Sequence, residues 1–96
     1  MNGKRISKNV PKNDSTTYLF NEFIDIYNGH AYWVTAIGSN SSWRYAGIVF
    51  VDGTRTNIQQ FLGAYLSVTA NSTGITIKNE HQDYDMTVHV EITGMP

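Results

Sequence analysis

Short apolar runs separated by clusters of turn-forming residues dominate this chain from residue 17 to 93. Two of the clusters, Asn28-Gly29 and Asp52-Gly53, are dipeptides that favour two-residue β-hairpin turns, because these residue types tolerate a positive φ. Turn signals recur about every eight to twelve residues, which is typical of antiparallel sandwiches and barrels. The pattern therefore predicts an all-β fold, an antiparallel β-sandwich or jelly roll of about seven strands.

The strand pattern also predicts how the chain is divided. Residues 1–15 are polar and include Pro11, so we expect an extended N-terminal lead-in or linker there and the β-sandwich domain over 16–96. The segment 54–63 is ambiguous, since its apolar residues also have the spacing of a helical turn; we favour a strand or short turn. The other strands are predicted at 16–27, 30–38, 44–51, 65–70, 75–78 and 86–92.

Two of the predicted strands are apolar on both faces. An antiparallel strand that faces water on one side alternates, as MTVHVEI (86–92) does, whereas AYWVTAI (31–37) and AGIVFV (46–51) do not. A chain of 96 residues has little material to cover a second apolar face, so we expect a partner subunit to cover it. We expect Trp33, inside the first of these two strands, to lie in the core.

The residue types that support catalysis or metal binding are sparse. The chain has no cysteine, and its histidines do not have ligand spacing, so we predict no metal site and no cofactor. No nucleophile elbow or glycine-rich phosphate loop occurs, which argues against an enzyme. Asp83 and Asp85 flank Tyr84 in a predicted loop, where they suit at most weak calcium binding.

The charge distribution argues against nucleic acid and membranes as partners. The net charge is −1, and the basic residues Lys4, Arg5, Lys8 and Lys12 gather at the start, which we interpret as a solvated tail. No apolar run approaches the ~20 residues of a membrane-spanning helix, so we expect no membrane insertion.

Two predicted loops, 39–45 and 79–85, place aromatic residues beside polar ones. Flat aromatic faces can stack on the apolar faces of sugar rings, while amides, carboxylates and guanidinium groups bind the hydroxyls. The alternative is that Trp43 and Tyr45 are core or interface anchors, since both residue types are enriched there. The predicted ligand-binding residues are Asn40, Trp43, Arg44, Tyr45, Asp83, Tyr84 and Asp85.

The stretch NGKRISKNV (2–10) resembles the short motif V-N-G-K-x-L-S-x-N-[IV] that recurs in tail fibres of tailed bacteriophages, with Ile6 at the usual leucine position. The segments AGIVFVDGTRTNIQQFLG (46–63) and LSVTANSTGITIKN (66–79) are similar in style to the C-terminal receptor-binding tips of such fibres. The resemblance implies a homotrimer on the virion, in the phage tail. It also implies binding to a host cell-surface polysaccharide or protein, contact with other virion proteins, and no cofactor.

Three other functions remain open. A fibre-adaptor, baseplate or capsid-decoration module would use its aromatic residues against other virion proteins. A non-catalytic carbohydrate-binding module, appended to an enzyme, would work as a monomer with an exposed aromatic strip on one sheet. A small hydrolase would depend on Asp83, Asp85 or His81.

Overall fold

A computed structural model describes residues 4–23, 30–40 and 42–95. Within these ranges the chain forms strands and a single-turn 3-10 helix, Phe20–Glu22. The strands are β1 (Arg5–Val10), β2 (Ser15–Leu19), β3 (Ala31–Gly38), β4 (Arg44–Asp52), β5 (Arg55–Ala64), β6 (Leu66–Asn71), β7 (Gly74–Asn79) and β8 (Met86–Met95).

The strands form two antiparallel sheets. One has five strands in the order β1-β8-β3-β4-β5, and the other has three in the order β2-β7-β6. The all-β prediction is confirmed, with eight strands among the described residues against about seven predicted. Residues 55–63 of the ambiguous segment 54–63 belong to β5, so the strand interpretation was correct and the helical turn was not. No helix in the described ranges is long and apolar enough to cross a bilayer.

The core lies between the two sheets, where both contribute buried aromatic and aliphatic side chains. The rings of Phe20 and Tyr32 stack with centroids 4.0 Å apart. The Tyr18 hydroxyl of β2 donates to the Val88 carbonyl of β8 at 2.8 Å, which ties one sheet to the other. The apolar alternation predicted for the last strand is confirmed, since all four of its inward positions are buried: Met86, Val88, Val90 and Ile92.

The lead-in predicted for residues 1–15 needs correction, because Arg5–Val10 form β1 and pair with Met86–Glu91 of β8. Val10 is fully buried. Lys8 also faces inward: its ammonium lies 5.1 Å from the centroid of the Tyr18 ring and 3.0 Å from Glu22 Oε1. The strand was missed because Lys8 takes an inward position that an apolar residue would normally occupy, which breaks the alternating pattern. The aliphatic part of a lysine side chain can cover apolar surface in this way.

The hairpin predicted at Asp52-Gly53 is present between β4 and β5. Asp52 pairs with Arg55, so the turn residues are Gly53 and Thr54. Gly53 has a φ of 62°, the conformation that a glycine at the first turn position supplies without strain. The predicted Asn28-Gly29 turn lies outside the described residues.

Trp33 lies on the outer face of the five-stranded sheet, with 41% of its surface exposed, so the prediction of a core position was wrong. Its neighbours Tyr32 and Val34 take the core positions of β3 instead. Successive side chains of a strand point to opposite faces, and a strand apolar on both faces does not reveal which set faces the core.

The strand registers bring four connecting segments to one end of both sheets. Val10 pairs with Met86, Ile37 with Arg44, and Leu66 with Asn79. The connections at that end are therefore 11–14, 39–43, the single residue 65 and 80–85. Both loops in which ligand-binding residues were predicted belong to this set.

Candidate functional site

Four rings from three of these connections meet at that end of the molecule. We call Trp43, Tyr65, His81 and Tyr84 the aromatic cluster. The His81 ring lies at its centre, with centroid distances of 5.3 Å to Trp43, 5.3 Å to Tyr65 and 4.8 Å to Tyr84. Trp43 and Tyr65 meet edge to face at 6.3 Å. The cluster reaches the surface, because Tyr65 is 56% and Tyr84 60% exposed.

Trp43 is held by backbone hydrogen bonds on both sides of its loop. Its N–H donates to the Asn40 carbonyl at 2.9 Å, and its carbonyl accepts from the Gly38 N–H at 2.7 Å. The ring is half-buried and packs against the hydrophobic core. One side of the indole is thus fixed by the core, while the other contributes to the aromatic cluster.

Tyr65 stands between β5 and β6 with a φ of 61°, which side chains other than glycine rarely adopt. Its carbonyl accepts from the Glu80 N–H at 2.9 Å, so the strained residue is fixed to the loop that carries His81. Backbone strain of this kind persists where the surrounding structure imposes it, and it concentrates at functional sites. Here it accompanies an exposed ring that contacts two others.

Asn79, fully buried at the end of β7, shapes the loop 79–85. Its Nδ2 donates to the carbonyls of Val10 at 3.1 Å and Tyr84 at 2.8 Å, and its Oδ1 accepts from the His81 N–H at 2.8 Å. One side chain therefore sets the backbone of two residues of the aromatic cluster and joins their loop to β1.

The central histidine is oriented within its own loop. The Asp83 N–H donates to His81 Nδ1 at 3.1 Å. Because Nδ1 accepts this bond, the ring proton of a neutral His81 lies on Nε2, which is then a donor. The carbonyl of His81 accepts from the Asn13 N–H at 3.1 Å, so the 11–14 connection supports the same loop.

The polar residues predicted at the site serve mainly to hold its loops. Asn40 Oδ1 accepts from the N–H and hydroxyl of Ser42 at 3.0 and 2.8 Å. Asp85 Oδ1 accepts from the Lys12 N–H at 2.9 Å. Asp83 is exposed and precedes Tyr84 in the chain.

Tyr45 does not lie at the surface, although it was predicted as a ligand-binding residue. Its side chain is 1% exposed and belongs to the core. Burial raises the pKa of Tyr45, and its hydroxyl has no hydrogen-bond partner among the described residues. Gly47 makes room for it, since a Cβ at that position would lie 2.7 Å from the hydroxyl. Arg44, the next residue towards the loop, is exposed.

Sequence reasoning missed Tyr65. Asn79 and His81 lie in the predicted loop 79–85 but were not named among its ligand-binding residues. Tyr65 was assigned to a strand because it opens an alternating run, and an unusual φ leaves no mark in a sequence. The signal that could have found Asn79 is its position before a polar loop, since asparagine side chains often bind backbone groups two residues on.

These rings can bind a flat apolar face while neighbouring groups bind hydroxyls. Tyr65 and Tyr84 are exposed and carry hydroxyl groups, His81 Nε2 can donate a hydrogen bond, and Asp83, next to Tyr84 in the chain, is exposed. A saccharide needs this combination of aromatic stacking and polar contacts at the rim. Among the described residues, no group of three or more histidines and carboxylates is placed to hold a metal ion.

A hollow of about 470 Å³ lies at the opposite end of the sheets, beside the β4–β5 hairpin. Its lining is mostly apolar and includes Phe50 and Val51, with Asp52 and Arg55 at the turn. It contains none of the residues predicted from sequence. We place the candidate site at the aromatic cluster, where several aromatic and polar groups converge.

Comparison of the chain with family models, with curated proteins and with solved structures finds no match.

Proposed function

We propose that this protein is a non-catalytic receptor-binding module that recognises a saccharide of a bacterial cell surface through the aromatic cluster. The observation that carries the proposal is the convergence of Trp43, Tyr65, His81 and Tyr84 at one end of the two sheets. Exposed aromatic rings are costly to leave in water, and a group of them at a loop surface is characteristic of a binding site.

The chain acts, in this proposal, as the tip of a tail fibre of a tailed bacteriophage and works as a homotrimer. Support comes from the motif in residues 2–10 and from the apolar outer face of the five-stranded sheet. A single shallow site binds a sugar weakly. Three sites on one rigid particle gain avidity of two or more orders of magnitude when host epitopes repeat within reach.

The test is binding of the purified full chain to an array of bacterial capsular polysaccharides and lipopolysaccharide O-antigens. We expect binding to a subset of these glycans, with at least a tenfold loss for Tyr84→Ala and Trp43→Ala. Leu19→Ala is the matched control, because Leu19 is an exposed apolar residue of β2 outside the aromatic cluster.

Two results would contradict the proposal. One is array binding that is equal for the parent chain and both cluster variants. The other is failure to bind any glycan or intact bacteria together with binding to purified phage particles, which would favour a virion adaptor or decoration module.

A further inference from the structure

The outer face of the five-stranded sheet is divided into an apolar and a polar half. We call the apolar face the large apolar side chains that point outward from β3, β4 and β5, which are Trp33, Ile37, Ile48, Phe50, Phe61 and Leu62. The polar outward residues Thr35, Asn57 and Gln59 lie on the same strands. Trp33 and Phe61 contact each other with centroids 5.8 Å apart. Beside them on β8, the outward residues Thr87, Glu91 and Thr93 are polar. The large apolar side chains of the outer face are therefore concentrated on β3, β4 and β5, whereas β8 contributes polar ones.

We infer that the apolar face is the surface through which copies of this chain associate. This inference rests on the proposed multivalent function and names the surface that would deliver it. The exposed apolar area of this face is large enough for the core of an interface. A whole aromatic side chain has a surface of about 150–250 Å². Five residues of the apolar face are between 41% and 59% exposed, and their exposed surface totals about 400 Å². These residues are Trp33, Ile37, Phe50, Phe61 and Leu62. A standard interface of about 800 Å² per partner needs an apolar core of about this size.

The apolar face carries no charge except at the ends of its strands. Residues 31–38, 45–51 and 56–64 contain no charged side chain, and the charges of β4 and β5 stand at their ends, at Arg44, Asp52 and Arg55. An uncharged strip does not repel a second copy of itself. A membrane surface is a poorer fit, because interfacial binding to anionic lipid needs a rim of lysine and arginine.

The apolar face includes β5, the edge strand of the five-stranded sheet. β5 ends the sheet and pairs only with β4 among the described strands. Edge strands are usually protected by lysine, proline or a bulge. β5 has a register shift opposite Ala46/Gly47, but residues 56–64 contain neither lysine nor proline, and Phe61 is 59% exposed. A neighbouring copy on the apolar face would cover this edge as well.

The geometry of such an assembly suits multivalent binding. The apolar face runs along the strands, whereas the aromatic cluster lies at their end. Copies related by an axis parallel to β3–β5 would bury the apolar face and present all aromatic clusters in the same direction.

The experiment is light scattering coupled to size-exclusion chromatography on the full chain and on Phe61→Lys and Phe50→Lys. We expect the parent at three times 10.8 kDa and both variants at 10.8 kDa. Each lysine replaces an exposed side chain, so circular dichroism should show folded protein. Thr87→Lys, on the polar half of the same sheet, should keep the parent mass.

The possible outcomes separate this inference from the proposed function. A monomeric parent at 100 μM, or an oligomer that neither lysine variant dissociates, overturns the inference. A dimer that both variants dissociate supports the apolar face and contradicts only the trimer. Phe61→Lys should bind a soluble oligosaccharide with the same affinity as the parent chain. Its apparent affinity for whole cells should fall about 100-fold, because a monomer has no avidity. Trp43→Ala should show the reverse: parent mass and no saccharide binding.

Discussion

At the scale of single residues, two buried tyrosines differ in how their hydroxyls are satisfied. The Tyr18 hydroxyl donates to Val88 O, and burial raises the pKa of Tyr18 to about 12, whereas the Tyr45 hydroxyl has no partner among the described residues. We expect Tyr18→Phe to lower the free energy of unfolding by about 1 kcal/mol, and Tyr45→Phe to leave it unchanged or raise it by up to about 1 kcal/mol. Urea denaturation measures both, and equal losses would contradict the assignment.

At Tyr65, two substitutions distinguish the effect of the backbone conformation from the effect of the ring. Tyr65→Ala and Tyr65→Gly both remove the ring, but only glycine adopts a φ of 61° without a Cβ penalty. We expect the glycine variant to be more stable than the alanine variant by about 1 kcal/mol. Both variants should lose saccharide binding to the same extent. Equal unfolding midpoints would show that the backbone at residue 65 is not strained.

At the scale of elements, the loop 79–85 depends on one buried amide. Asn79→Ala removes three hydrogen bonds, to Val10, His81 and Tyr84, and we expect a loss of about 3 kcal/mol of unfolding free energy together with weaker saccharide binding. Asn9→Ala, on the exposed side of β1, is the matched control and should change stability by less than about 0.5 kcal/mol. Thermal unfolding gives both values. A loss below 1 kcal/mol for Asn79→Ala would contradict the role of this side chain.

The 3-10 turn after β2 predicts how stability responds to acid. The Leu19 N–H and the Lys8 ammonium both donate to Glu22 Oε1, which lowers the pKa of Glu22 from its usual 4.5. A carboxyl whose folded pKa is lowered stabilises the fold above its unfolded pKa, and this contribution is lost as the pH falls through the folded pKa. Glu22→Gln should therefore have a lower Tm than the parent chain at pH 7. Its Tm should also fall less than that of the parent chain between pH 5 and pH 3. Parallel Tm curves for the two proteins would contradict this.

Sequence patterns predicted some elements better than others for physical reasons. β8 alternates cleanly, and its inward residues were identified correctly. β3 and β4 were located, but their apolar outer faces hid which residues point inward. Trp33 was therefore wrongly assigned to the core. Tyr45 was predicted as a ligand-binding residue, and its burial confirms the alternative of a core anchor. β1 was missed because Lys8 takes an inward position that an apolar residue would have marked.

At the scale of the whole molecule, the fold separates two kinds of exposed aromatic surface. The chain has two tryptophans; Trp43 belongs to the aromatic cluster and Trp33 to the apolar face. The two loops predicted to bind a ligand do meet in space, through Trp43 and His81. The two loops meet because of the strand registers. Tyr65 joins the aromatic cluster from a third connection, where its backbone has an uncommon positive φ. Neither property can be read from a single sequence.

The most direct test of the aromatic cluster as a saccharide site is a fluorescence titration of Trp33→Phe, in which Trp43 is the sole tryptophan. The titrant is an oligosaccharide prepared from the polysaccharide that the parent chain binds best on the array. We predict a saturable change in Trp43 emission, with the same affinity as the parent shows by calorimetry, and loss of that change in Trp33→Phe/Tyr84→Ala. Unchanged emission at a concentration where calorimetry shows saturation would place the ligand elsewhere and contradict the account.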